Sequence, residues 1–212
     1  MNLLKYSLCV LLLAAGWSCT KEYEIEDTDY RPVTEIGRRL AADCPAVARI
    51  YADTTFLLGL GVEQTDLHLQ KMNGEVMRVY LTRVDLNQSG VSLEVGMPYD
   101  ADVTSNFQKQ TLSGIASYCD RPGHRIAALV NADFWDISTL EIRGPIHHNG
   151  KILKDTFIFT DRLPQQALSF FAVTNDGKAL IRDSVEYRSL APTLKEVTGS
   201  GVIVLRNGVL SG

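Results

Sequence analysis

The 212-residue chain is 45% hydrophobic and 22% charged, with 21 Lys and Arg against 25 Asp and Glu and a formal net charge of −4. This composition supplies one ordinary globular core and excludes intrinsic disorder as the main state. With no excess of cations to neutralise a phosphate backbone, no nucleic-acid partner is expected.

Residues 1–18 read as an address. Lys5 precedes the apolar run Leu8–Ala15, which is short of the ~20 residues needed to cross hydrocarbon. A charged start, a brief apolar centre and small residues ahead of a processing point describe a secretory signal. Gly16-Trp17-Ser18-Cys19 resembles a bacterial lipoprotein box. That resemblance implies lipid on Cys19, a membrane partner engaged through the anchor, and an outer-membrane lipoprotein of the cell envelope, periplasmic or surface-exposed. Residues 19–32 carry Glu22, Glu24, Glu26, Asp27 and Asp29 against Lys21 and Arg31. So acidic a stretch buries little and reads as a solvated tether. Residues 33–212 form the folded domain.

With Cys9 in the signal and Cys19 lipidated, Cys44 and Cys119 remain. A disulfide between them would close a long loop and add roughly 4 kcal/mol in the chain-entropy model. Two unpaired thiols fit the sequence equally well.

Ile36 and Leu40 fall at helical spacing before Pro45, which predicts a short helix ending near Asp43. Asn73-Gly74, Asn149-Gly150, Asp176-Gly177 and Asn207-Gly208 lie between strand-like segments, and such pairs supply the positive φ of tight hairpin turns. Leu112, Ile115, Ala116 and Cys119 repeat at i, i+3, i+4 and i+7, predicting a helix stopped at Arg121-Pro122-Gly123. Ile126–Val130 reads as a buried strand. Val202–Leu205 reads as another, with so little chain after Asn207-Gly208 that the last hairpin is expected to be incomplete at its C-terminus. Hairpins outnumber helices, so the expected fold is α+β: a mostly antiparallel sheet with a few packed helices.

The segment Asn131-Ala132-Asp133-Phe134-Trp135-Asp136 follows the Ile126–Val130 run. Polar groups at the end of a rigid strand are well placed for chemistry. Asn131 offers donors and an acceptor, Asp133 a carboxylate, and Phe134-Trp135 a flat apolar wall of the kind sugars stack on. Equally, Asn131 and Asp133 could cap a turn while the aromatics fill the core.

This segment is similar to the Asn-Gly-Gly/Asp-Phe-Phe stretch of the phosphodiester glycosidase family. Further pieces resemble that family in order: Met77–Leu86, Thr111–Ala116, Arg143–Gly150, Phe171–Gly177 and Ser200–Gly208. The likeness spans residues 75–212. Ala132 stands where the family has Gly, and the family's C-terminal Asp-Gly-Gly-Gly-Ser segment does not occur in this sequence.

The resemblance implies a hydrolase acting on a carbohydrate phosphodiester. Ordinary glycosidases need two carboxylates because a sugar alkoxide leaves poorly, whereas a phosphate monoester leaves readily without a proton. Asp133 would then supply negative charge or basicity near the anomeric carbon, and Asn131 would orient hydroxyls or water. Trp135 would contact the sugar, while Arg143 and His147 would take the phosphate. Arg143 also reads simply as a solvated loop charge. His147 and His148 point to opposite faces if they share a strand. No cofactor or metal is expected, and the alternative function is a cell-surface binding or structural lipoprotein that keeps the fold without catalysis.

Overall fold

The computed structural model describes residues 29–136, 138–160, 164, 168–207 and 209–210. The signal, Cys19 and most of the acidic tether lie outside them. Among the described residues, three helices and two main antiparallel sheets make this an α+β fold. The elements in chain order are α1 (Glu35–Asp43), β1 (Val47–Gly59), β2 (Val62–Lys71), β3 (Val76–Val84), α2 (Leu112–Cys119), β4 (Ile146–His148), β5 (Lys151–Lys154), β6 (Ser169–Thr174), β7 (Ala179–Asp183), the single turn α3 (Tyr187–Leu190), β8 (Leu194–Ser200), β9 (Leu205–Arg206) and β10 (Val209–Leu210). Strands β1-β2-β3 form one sheet, β5-β4-β8-β6-β7 a second, and β9 and β10 a small ladder.

The described residues fall into two compact units, one of residues 29–55 and 65–80, the other of residues 56–64 and from 81 onward. In the first unit, α1 begins where Thr34 Oγ1 accepts the Gly37 N–H at 3.0 Å, an N-cap that satisfies an otherwise orphaned amide. The predicted end at Asp43 is the observed one.

Asp53 on β1 anchors the approach to this helix. It is buried and accepts from Tyr30 Oη at 2.5 Å, the Val33 N–H at 2.9 Å, the Thr34 N–H at 2.6 Å and the Thr34 hydroxyl. A Cβ on Gly37 would fall on the Asp53 carboxylate, so the helix start can lie this close only with glycine there. Burial works against the charge, yet the bonds from Thr34 and Tyr30, with the Val33 and Thr34 amides, hold the carboxyl below its ordinary range. Asp53→Ala would leave these donors unpaired and is expected to cost about 3 kcal/mol at pH 7 by urea unfolding. Because the folded pKa is lowered, this contribution is present above ~3.9, the usual value for Asp, and is lost as pH falls below it. An unchanged urea midpoint would contradict the assignment.

In the second unit the predicted turns fold as the sequence indicates. Asn149 and Gly150 take φ of 50° and 82° between β4 and β5, and Gly177, at φ 83°, donates to the Thr174 carbonyl at 2.9 Å between β6 and β7. Val209 pairs with Arg206 and Leu210 with Leu205, a two-residue connection at the predicted place. Helix α2 ends at Cys119, followed by a turn in which Arg121 and His124 exchange backbone bonds of 3.0 and 2.8 Å.

The core of the five-stranded sheet is built from Phe170, Ala172, Tyr187, Leu194 and Val197, with Phe157 packed against them. A second cluster joins Met97, Phe107, Ile146 and Leu153.

Two predicted strands differ. Residues 126–130 form no strand, and Val130 is 83% exposed. Residues 202–204 form none either, and the ladder starts only at Leu205. An apolar run becomes a strand only where a neighbour continues the ladder. Cys44 and Cys119 are both free thiols. Cys119 is buried, its Sγ 3.8 Å from Asp100 Oδ1, and burial pushes its pKa up.

Candidate active site

Asp133 sits at the neck of a loop that folds back on itself. The Arg143 N–H donates to the Phe134 carbonyl at 2.7 Å and the Asp136 N–H to the Glu141 carbonyl at 2.8 Å, while Trp135 pairs with Ile142. At the tip, Asp136 Oδ1 accepts from the Ser138 hydroxyl at 2.5 Å, the Ser138 N–H at 2.9 Å and the Thr139 N–H at 3.0 Å. Those bonds, the Ser138 hydroxyl foremost, hold the Asp136 carboxyl down to about 2. Asp, Ser and Thr favour such self-capped turns because their short side chains reach the nearby amides.

The neck closes on two glycines. The Gly144 N–H donates to Asp133 Oδ2 at 2.8 Å, the amides of Phe134 and Gly199 also support the carboxylate, and the Asp133 N–H donates to Thr198 Oγ1 at 3.2 Å. A Cβ on Gly144 or on Gly199 would fall on the other's Cα and within 2.8 Å of Asp133 Oδ2. The bare backbone of Gly144, just before β4, and Gly199, on β8, is thus the floor on which the carboxylate rests.

Burial pushes the Asp133 pKa up to about 6, against the pull of the Gly144, Phe134 and Gly199 amides and the charge of Lys154. Lys154, half-buried on β5, donates to the Thr156 carbonyl at 2.7 Å and its hydroxyl at 3.0 Å. Burial pulls the Lys154 pKa down, while Glu141, Asp133 and Asp155 favour its charge.

The aromatics beside Asp133 are not core. Phe134 is 62% and Trp135 42% exposed, with Lys109 Nζ 4.5 Å from the Trp135 ring centroid, a cation–π distance. A Cβ on Gly201 would stand 3.3 Å from Phe134 Cε2, so this glycine lets the ring lie close to the backbone. Asn131 is exposed and makes no hydrogen bond among the described residues. Arg143 is half-buried, with Nη2 3.6 Å from Asp136 Oδ2, so it is tied to the loop rather than free in solvent. Asp133, Trp135 and Arg143 therefore share one folded loop.

His147 does not join them. It is completely buried, its Nδ1 3.3 Å from the Leu194 carbonyl and its Nε2 2.7 Å from Tyr187 Oη. A carbonyl only accepts, so Nδ1 carries the proton and Nε2 accepts from the tyrosine hydroxyl. Phosphate binding by His147 is thus corrected: both ring nitrogens serve the core, and no anion reaches them. Burial lowers the His147 pKa. Its neutral form therefore stabilises the fold above ~6.5, the usual value for His, and that stability is lost as pH falls below it. His147→Gln should flatten this part of the stability–pH curve measured by urea unfolding, and an unchanged slope would contradict the core role.

Lys154, Thr198, Gly144 and Gly199 were not apparent as site residues from the sequence, although a glycine inside the strand-like Val197–Ser200 is a signal of close backbone approach. Two cavities of this unit, of about 770 and 300 Å3, are walled by other residues than Asp133, Trp135 and Arg143. Among the described residues no group of three or more His, Cys, Asp or Glu side chains converges as metal ligands. No family model matches the chain, and no curated protein matches it either.

Proposed function

We propose that the protein is a secreted hydrolase that cleaves a glycosyl-1-phosphodiester bond in a glycan or polysaccharide, moored to the cell envelope by lipid on Cys19. The observation that carries this reading is Asp133: a carboxyl brought to about 6 by burial, beside two exposed aromatic rings. Perturbed carboxylates next to apolar platforms are typical of sites that handle sugars and protons. The ordered resemblance to phosphodiester glycosidases over residues 75–212 points the same way.

In this mechanism the Asp133 carboxylate takes a proton from the attacking water, and Asn131 orients that water or the sugar hydroxyls. The water oxygen bonds to the anomeric carbon, the bond from that carbon to the phosphate oxygen breaks, and its electron pair leaves with the phosphate monoester. The products are a free sugar and that monoester. Trp135 offers a stacking face, and Arg143, steadied by Asp136, offers its guanidinium to the phosphate. Incubation of the chain with a panel of α- and β-glycosyl-1-phosphate methyl esters should release reducing sugar. Absence of release across the panel would overturn the proposal.

One observation favours the alternative, a surface-tethered binding or structural module: the Asp133 carboxylate is engaged by backbone amides, as a loop clamp would be. That reading predicts saturable binding of the same esters without turnover.

A further inference from the structure

The cavity of about 770 Å3 in the second unit combines an uncovered apolar wall with a charged end. Leu58, Leu60, Val91, Leu93, Ile126 and Leu129 line it, and Leu60 stays 68% exposed, so the described residues do not fill this strip with their own side chains. The volume lies within the range of small-molecule sites.

The charged end is largely compensated. Glu94 Oε2 lies 2.7 Å from His124 Nε2, and the other ring nitrogen of His124 donates to the Cys119 carbonyl at 2.9 Å. Both nitrogens thus serve acceptors, an arrangement that favours the imidazolium. Asp100 pairs with Arg121 at 3.3 Å. Asp102 takes His148 Nδ1 at 2.6 Å and Lys151 at 3.3 Å. Glu196, near His148 and Lys195, is buried and bonded to the amides of Val95 and Asn149. Among the charged side chains that line the cavity, Arg125 alone has no ion pair or hydrogen bond among the described residues. Glu94, Asp100 and Asp102, the acids that line the cavity, each have a basic partner, which leaves the exposed Arg125 guanidinium beside an apolar strip that the described residues leave open.

We propose that this cavity binds an amphipathic anion, with its phosphate or carboxylate head on Arg125 and its apolar tail along the Leu58–Leu60, Val91–Leu93 and Ile126–Leu129 strip. Guanidinium matches either head through two parallel hydrogen bonds. The tail recovers the transfer free energy of apolar surface now in water. This site is separate from the Asp133 loop and does not depend on its chemistry.

The test is isothermal titration of the chain with octyl phosphate, octanoate, octyltrimethylammonium and inorganic phosphate, all below micellar concentrations. Binding by the anionic amphiphiles is expected to be saturable, with at least tenfold weaker binding of the cationic amphiphile and of phosphate alone. Preference between octyl phosphate and octanoate identifies the head group. Removing two methylenes from the tail should weaken binding by about tenfold. Arg125→Gln, at an exposed position that leaves folding intact by near-UV circular dichroism, should also weaken it by about tenfold. Equal binding of the ammonium amphiphile, no saturable binding, or an unchanged Arg125→Gln variant would each overturn the proposal. As an independent readout, the His124 and His148 ring proton signals should shift on titration with octyl phosphate. Unmoved signals would place the ligand elsewhere and contradict the site.

Discussion

Replacing Asp133 with Asn is expected to lower kcat/KM on a glycosyl-1-phosphodiester by about 10²–10⁴, the usual worth of a positioned proton-transfer group. Asn keeps the volume and one carbonyl oxygen for the Gly144 amide, so near-UV circular dichroism should stay native while turnover falls. Asp133→Glu keeps the charge but displaces it by one methylene, and is expected to lose most of the rate as well, because the Gly144–Gly199 floor leaves no room for a longer side chain. The pH profile sharpens the point. With a pKa pushed up to about 6, Asp133 is the active carboxylate only above that value. Turnover should therefore rise through pH 6 and fall tenfold per unit below it. A profile flat down to pH 4 would show that some other, unperturbed group does the work.

Gly199→Ala is expected to destabilise the chain by about 3 kcal/mol, seen as a urea midpoint lowered by roughly 1–2 M. The added Cβ would collide with the Gly144 Cα and with both oxygens of Asp133, and backbone cannot move aside as a flexible side chain can. Gly177→Ala is the control. Its φ is 83°, but a Cβ there meets nothing within 4 Å, so only the left-handed strain applies, about 1 kcal/mol. Equal losses for the two variants would contradict the close approach at the Asp133 floor.

The turns were legible in the sequence because Asn-Gly and Asp-Gly pairs encode positive φ locally, and three hairpins of the second unit form around them. Helices α1 and α2 were legible from the helical spacing of Ile36 and Leu40 and of Leu112, Ile115, Ala116 and Cys119, with Pro45 and Arg121-Pro122-Gly123 as stops, and in the structure Thr34 and Thr111 cap them. The long β1 was not, because its exposed and buried positions do not alternate cleanly. Ile126–Val130 and Val202–Val204 carry strand-like residues but lack the continuous ladder that defines a strand, and pairing is a property of neighbours rather than of a segment.

At the site, Asp133 and the aromatic wall could be read from one short motif. The glycine floor could not, because Gly144 and Gly199 are 55 positions apart and meet only through the β4–β8 pairing. His147 was misplaced because adjacent histidines on a strand must face opposite ways, and only packing against Tyr187 and Leu194 decides which one is inside.

The most direct measurement of the hydrolytic claim is hydrolysis of a glycosyl-1-phosphodiester in water enriched in 18O, with mass analysis of both products. Attack at the anomeric carbon predicts the heavy oxygen in the released sugar and none in the phosphate monoester. Label in the phosphate product, or no turnover by a chain that binds the ester, would contradict it.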